Sequence, residues 1–323
     1  MSNACRNSLA ATDATAATRD DAHAGLLLAR YLTAQKSPGA KNALFSRAQS
    51  ATEKAKSVYE KAFNRWRQTW KGEKVSDVNR NNLMRKFAVN SRLIIGLGGE
   101  NVLETGLTLH HTYGVPYIPG AALKGLCAHY YAQSLAAPKL SADERLKNPN
   151  LPQKDRDKII DAIYTEVKKD PFYAAVFGDQ KSAGMVQFHD AWICPDSVAD
   201  CLVDDVMTPH HSDYYAGKAA PTDFDAPVPV SFLAVTGEFL VVLTCDDTDD
   251  DGKITARGQN WLNKVWELLG AALKANGIGG KTNSGYGYGE LRRMSKDKKA
   301  KTETPTLPSA PTNWFAAALQ KPK

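Results

Sequence analysis

The chain has 323 residues, 43% of them hydrophobic and 24% charged, with a net charge of +6; this suffices for one large domain with insertions or two small ones. It has no apolar run of about 18 residues and no apolar segment at its start, so neither a membrane-spanning helix nor a signal peptide is expected. Five cysteines at positions 5, 127, 194, 201 and 245 form no Cys-x-x-Cys pair and read as free thiols of a reducing compartment, the cytoplasm.

Charge is distributed unevenly. Residues 36–92 carry 14 Lys/Arg against 4 Asp/Glu, residues 195–251 carry 1 against 13, and residues 291–323 carry 8 against 2. Such polarity suits separate faces for separate partners, one of them a polyanion, while the bland alternative for each run is a solvated face.

Residues 1–22, rich in Ala, Thr and Asp, are expected to be unstructured. A basic helical extension is expected over 23–85. It holds a short apolar segment, "HAGLLLARYL", and then a helix with Val58, Tyr59, Ala62, Phe63, Trp66 and Trp70 at helical spacing. That aromatic stripe suits either a core face or a platform for bases. From Phe87 to Ile95 the period becomes two, as in a half-buried strand. A loop, "HHTYGVPYIPG", leads to a helix starting near Gly120. Residues 136–180 read as a polar, proline-punctuated insertion.

A second strand is expected over 184–193, then an acidic insertion over 195–227. Residues 228–245 suit one long strand or a hairpin. Residues 256–276 form an amphipathic helix with Trp261, Leu262, Val265, Leu268, Leu269, Ala272 and Leu273 on one side. A glycine-rich stretch, "GIGGKTNSGYGYG", leads into a closing strand, and 294–323 reads as a basic low-complexity tail. The order strand, helix, strand, strand, helix, strand is the β-α-β-β-α-β of an α+β, ferredoxin-like domain spanning 86–293.

Gly280-Lys281-Thr282 imitates the end of a P-loop. A P-loop requires glycine five residues before Gly280, where Ala275 stands, and must lie between a strand and a helix, whereas this stretch follows a helix. Its physics survives the failed motif. Gly279, Gly280 and Gly285 let the backbone approach a ligand closely, and successive amides can form an anion nest. Lys281, Thr282, Asn283 and Ser284 add donors, and Tyr286 or Tyr288 is available to stack on a base. The alternative is a plain glycine turn.

"DTDDDG" imitates the start of a calcium loop, but position 12 is Gly258 rather than Glu, so an EF-hand is excluded. His110-His111 and His210-His211 lack ligand spacing for zinc, and no nucleophile motif appears, so no metal or cofactor is expected.

Taken together, "GLGGENVLETGLTLHHTYGVPYIPGAALKG", "FGDQKSAGMVQFHDAW", "DVMTPHHSDYY", "PVPVSFLAV" and "GIGGKTNSGYGYG" resemble the RAMP superfamily of CRISPR-associated proteins, over residues 24–290 or so. Within it they are most similar to the sixth subunits of type III-B Cmr effector complexes. The resemblance implies an RRM-like fold with insertions and a glycine loop close to RNA. It implies a backbone subunit near the 3′ end of the guide RNA, in a complex that takes up target RNA, next to the repeated subunit four and to subunit one.

It also implies a non-catalytic role, because the target-cleaving aspartate of these complexes belongs to the repeated subunit. Members often read "PGSSLKG" where this chain has "PGAALKG". The loss of hydroxyls at Ala121 and Ala122 leaves Lys124 and the helix N-terminus for phosphate. The alternative within the superfamily is a metal-independent endoribonuclease that processes guide precursors, with His110 or His111 as its base. A protein-only scaffold is a third reading. The acidic insertion, with Tyr214 and Tyr215, is expected to meet protein rather than RNA.

Overall fold

The computed structural model describes residues 22–294 apart from 35–36, 72–82, 100–101, 104, 209–213, 215–216, 221, 223–228 and 251–253. His210, His211, Tyr215, most of residues 1–22 and the tail beyond Met294 therefore lie outside the described residues. The helices are α1 (Ala24–Arg30), α2 (Pro38–Lys71), α3 (Gly120–Ala142), α4 (Gln153–Val167), α5 (Pro171–Phe177) and α6 (Ala256–Ala275). The strands are β1 (Met84–Val89), β2 (Tyr117–Ile118), β3 (Val186–Phe188), β4 (Ala191–Ile193), β5 (Leu202–Met207), β6 (Val230–Val235), β7 (Glu238–Cys245) and β8 (Gly289–Arg293). No described helix is long and apolar enough to cross a membrane.

One sheet runs in the order β2-β4-β7-β1-β8, with β3 also paired to β7, and every pairing is antiparallel. Phe239 to Leu243 of β7 are all buried. An unbroken apolar run of this kind belongs to a strand covered on both faces. Helix α6 packs on β7 and β8, burying Leu262, Val265, Leu268, Leu269, Ala272 and Leu273 as their spacing predicts, and Trp266 as well. Its N-terminus is capped by Thr255, whose hydroxyl accepts from the Gly258 N–H at 3.0 Å. Helix α3 runs beside α6.

Phe188 faces Leu243 and Trp192 faces Leu240, so the strand running through β3 and β4 has one residue more than β7 between those pairs. This is a bulge at His189–Asp190, and it re-aims the aspartate. Asp190 Oδ1 accepts from the Gly120 N–H at 2.7 Å, so a carboxylate of the protein already occupies the N-terminus of α3. Only glycine fits at position 120, because a Cβ there would collide with the Phe188 carbonyl.

The basic helix α2 settles the reading of its aromatic stripe. Trp66 stacks on Trp192 of β4 at 4.8 Å with planes 4° apart, and Tyr59 packs against Phe63, Tyr113 and Trp192. The aromatic residues of the stripe form a core face, whereas Val58 is exposed. The buried Tyr59 hydroxyl donates to the Ile193 carbonyl at 2.6 Å.

Residues 136–180, expected as a polar, proline-punctuated insertion, are largely helical. Helix α3 continues through Pro138. Helix α5 starts with Pro171 in its first turn and Asp170 as its cap, whose carboxylate accepts from Phe172 and Tyr173 N–H. The acidic insertion contributes β5, which pairs with β6 through six residues. Residues 228–245 form neither one strand nor a paired hairpin. The chain turns at Thr236–Gly237, and β6 and β7 join different sheets. Gly237 has φ 114°, and a Cβ there would lie 2.6 Å from Ser197 Cβ.

Tyr59→Phe removes the donor to a buried carbonyl and leaves the packing intact. The expected loss is about 1–3 kcal/mol in urea denaturation at unchanged m-value.

Candidate nucleic-acid interface

Residues 277–289 connect α6 to β8 and lie against residues 88–94. Three backbone bonds seat them there: the Gly280 N–H donates to the Ile94 carbonyl at 2.8 Å, the Gly287 N–H to the Arg92 carbonyl at 2.7 Å, and the Asn90 N–H to the Tyr288 carbonyl at 2.9 Å. Another closes the base of the loop, from the Ile278 N–H to the Gly287 carbonyl at 2.9 Å, and the Ser91 hydroxyl donates to the Gly285 carbonyl at 2.8 Å. This close approach requires glycine at 287, since a Cβ would collide with the Ile278 carbonyl. Gly285 is different. Its φ is +88°, but a Cβ there would meet nothing within 4 Å, so only backbone strain opposes a side chain.

At the tip, Lys281 sits at φ 55°, ψ 34°, the only described non-glycine residue with positive φ. A left-handed lysine is strained, and strain of this kind gathers at functional sites. The short 3-10 turn Thr282–Ser284 follows, closed by the Ser284 N–H donating to the Lys281 carbonyl and the Gly285 N–H to the Thr282 carbonyl, both at 2.9 Å. The N–H groups of Lys281, Thr282 and Asn283 find no acceptor among the described residues. A left-handed residue followed by a right-handed one turns successive N–H groups toward one concavity, the geometry of an anion nest. Lys281, Asn283, Ser284 and Gly285 are exposed beside it.

Tyr286 is turned away from that tip. Its hydroxyl donates to Asp205 Oδ2 at 2.8 Å, and its ring lies 6.2 Å from Phe232. Tyr288 instead faces an open cleft of about 550 Å³ between the loop and α3, together with Leu126, His129, Gln133, Asn276 and Asn283. Within it the Asn276 side-chain amide donates to Gln133 Oε1 at 3.3 Å. His129, Gln133 and Asn276 were not singled out in the sequence, although Ala122, Leu126, His129 and Gln133 recur at the spacing of one helix face.

Lys124 does not join this group. On a helix of 3.6 residues per turn it lies about 200° around from both Ala122 and Leu126, which line the cleft. Tyr214 is 52% exposed.

The two described histidines of the loop before α3 part company. His111 is exposed. His110 is half-buried between Tyr113 at 4.8 Å and Trp192 at 4.9 Å, and its Nδ1 accepts from the Thr112 N–H at 3.2 Å. Burial pushes its pKa down, against the pull of Asp190. The carboxylate of Asp247, which opens the calcium-like stretch, is bound by Arg257 through Nε at 2.7 Å and Nη2 at 2.9 Å.

A model of the RAMP superfamily matches residues 86–290, well over half of the chain. Over 240 residues the chain is 33% identical to the CRISPR system Cmr subunit Cmr6 of Pyrococcus furiosus, covering 62% of this chain and 66% of that relative, just under two thirds of its length. The crystal structure of Cmr6 from Pyrococcus furiosus aligns with 30% identity over 66% of this chain and 97% of that one, at a TM-score of 0.38. A cryo-EM structure of the type III-B Cmr-beta bound to cognate target RNA aligns with 17% identity over 78% of this chain and 75% of that one, at a TM-score of 0.45. The glycine loop and helices α3 to α6 lie inside the matched residues, which α1 and α2 precede, and the chain belongs to the RAMP superfamily.

Proposed function

We propose that this chain is a non-catalytic, RNA-binding subunit of a type III-B CRISPR effector, the Cmr complex. Its glycine loop, residues 279–285, would hold the phosphate backbone of the guide RNA. The observation that carries this reading is the loop tip, where Lys281 is exposed and left-handed and the successive N–H groups of Lys281, Thr282 and Asn283 have no acceptor among the described residues. Amides and one lysine recognise phosphate without reading bases, as a subunit that accepts any guide must. Identity to a relative named as a Cmr subunit supports the choice of complex.

The strand order β8-β1-β7 followed by β3 and β4, with α3 and α6 as the two crossovers, supports a ferredoxin-like, RRM-like core. In this assignment the subunit works in the cytoplasm, toward the 3′ end of the guide, where the effector also holds target RNA. It packs against subunit four and subunit one, and its acidic insertion faces protein.

The non-catalytic reading is supported by the setting of His110. A general base must reach the proton that it takes. The His110 Nδ1 lone pair is already given to the Thr112 amide, and aromatic rings flank the imidazole.

Lys281→Ala is expected to weaken binding about equally for unrelated single-stranded RNAs and to reduce the salt slope by about 0.7. Gly287→Ala is expected to weaken binding further by unseating the loop, and thermal melts accompany both variants. Unchanged affinity and slope in a Lys281→Ala protein that melts like the parent would overturn the phosphate assignment.

Labelled repeat RNA and target RNA incubated with the protein, with and without Mg²⁺, are expected to stay intact. Specific cleavage that disappears in His110→Ala would establish the endoribonuclease instead.

A further inference from the structure

An acidic strand lies beneath the loop assigned to phosphate. Side chains alternate along β5, so Val203, Asp205 and Met207 share one face. Val203 and Met207 pack with Ile94, Phe232, Ala234 and Tyr286 in an apolar cluster apart from the main core. Asp205 stands between them opposite Phe232, its side chain 13% exposed. A carboxylate in such a place is costly unless its charge and lone pairs are met. Asp205 Oδ2 meets Arg92 Nη1 at 2.7 Å and accepts from the Tyr286 hydroxyl at 2.8 Å. Partial burial pushes its pKa up, but the bonds from Arg92 and Tyr286 outweigh burial and hold it below the usual carboxylate range.

The two donors come from the two sides of the loop's seat. Arg92 belongs to the segment on which the loop rests, and its carbonyl accepts from Gly287 N–H. Tyr286 belongs to the loop itself, and its N–H reaches back to the Lys281 carbonyl at 3.4 Å. The carboxylate therefore ties the loop to its seat from below.

We propose that Asp205 is a positioning residue for RNA binding, holding Tyr286 and Arg92 together so that the loop keeps the amides of residues 281–283 presented. The inference rests on reading the loop as the phosphate site. It predicts an effect opposite in sign to the charge of Asp205. By Coulomb's law alone, removing a carboxylate near bound RNA strengthens the attraction. If Asp205 is a latch, removing it weakens binding, because the loop must then be ordered at the expense of affinity.

The test compares the full-length parent with Asp205→Ala, Asp205→Asn and Asp204→Asn. Asp204 is exposed on the opposite face of β5, where it accepts from Gln49 Nε2 at 3.4 Å, so its variant removes the same charge from the neighbouring position. Two quantities are measured well below the melting temperature: affinity for single-stranded RNA, and hydrogen exchange of residues 280–287 in the free protein. Asp205→Ala should bind about five-fold or more weakly and exchange faster at 280–287. Asp205→Asn should fall between, since its oxygen still accepts from Tyr286. Asp204→Asn should bind at least as tightly as the parent with unchanged loop exchange.

Asp205→Ala protein that binds as tightly as the parent, or tighter, overturns the proposal. If Asp205→Ala melts early, Tyr286→Phe keeps the ring, removes one donor and is held to the same outcomes. If Lys281→Ala leaves RNA binding unchanged, the phosphate reading fails on its own, and exchange decides the latch. Faster exchange at 280–287 in Asp205→Ala then supports the latch, and parent-like exchange overturns it.

Discussion

A glycine-rich loop has few side chains with which to bury itself, so backbone bonds must hold it. In this chain three of them do so, from the Gly280 N–H to the Ile94 carbonyl, from the Gly287 N–H to the Arg92 carbonyl and from the Asn90 N–H to the Tyr288 carbonyl. Everything proposed for the site depends on them. The first two exist because β1 stops pairing at Val89 and leaves the Arg92 and Ile94 carbonyls free for the loop, while the Leu93 carbonyl between them accepts from the Val235 N–H. They leave Lys281 and the amides around it as the part of the loop that projects. The strain of a left-handed lysine is tolerated because the backbone on either side is bonded in place.

Charge in the sequence proved a poorer guide to free surface than its sums suggest. The segment 195–251 holds 13 acidic residues against 1 basic one, yet several of its carboxylates already have partners within the fold. Asp205 is engaged by Arg92 and Tyr286, Asp247 by Arg257, and Asp246 accepts from Gln187. Glu238 pairs with Lys86 at 2.8 Å. The basic helix α2 behaves similarly on its aromatic side, which is spent on Trp192 and Tyr113 rather than left open for bases.

What could be read from the sequence divides along physical lines. Helix α6 was legible because its apolar residues repeat at 3.6. The close approach of the loop was legible because glycine density signals it. Strand β5 was not, because two adjacent acidic residues interrupt "LVDDVM", although Val203 and Met207 still alternate with Asp204 and Val206. Helices α4 and α5 were masked by polar composition and prolines, one of which starts α5 rather than breaking a helix. The partner of Tyr286 lies 81 residues away in the chain, a pairing that no local pattern encodes. The "PGAALKG" stretch offers Lys124 for phosphate, and helix geometry turns it away from the cleft that Ala122 and Leu126 line.

The most direct test of the central claim is ultraviolet crosslinking of the assembled ribonucleoprotein, with the crosslinked peptides of this chain identified by mass spectrometry. The account predicts nucleotide adducts on the peptide spanning residues 279–288. Adducts confined to α2 or to the face of α3 that carries Lys124, with none on the loop, would contradict it.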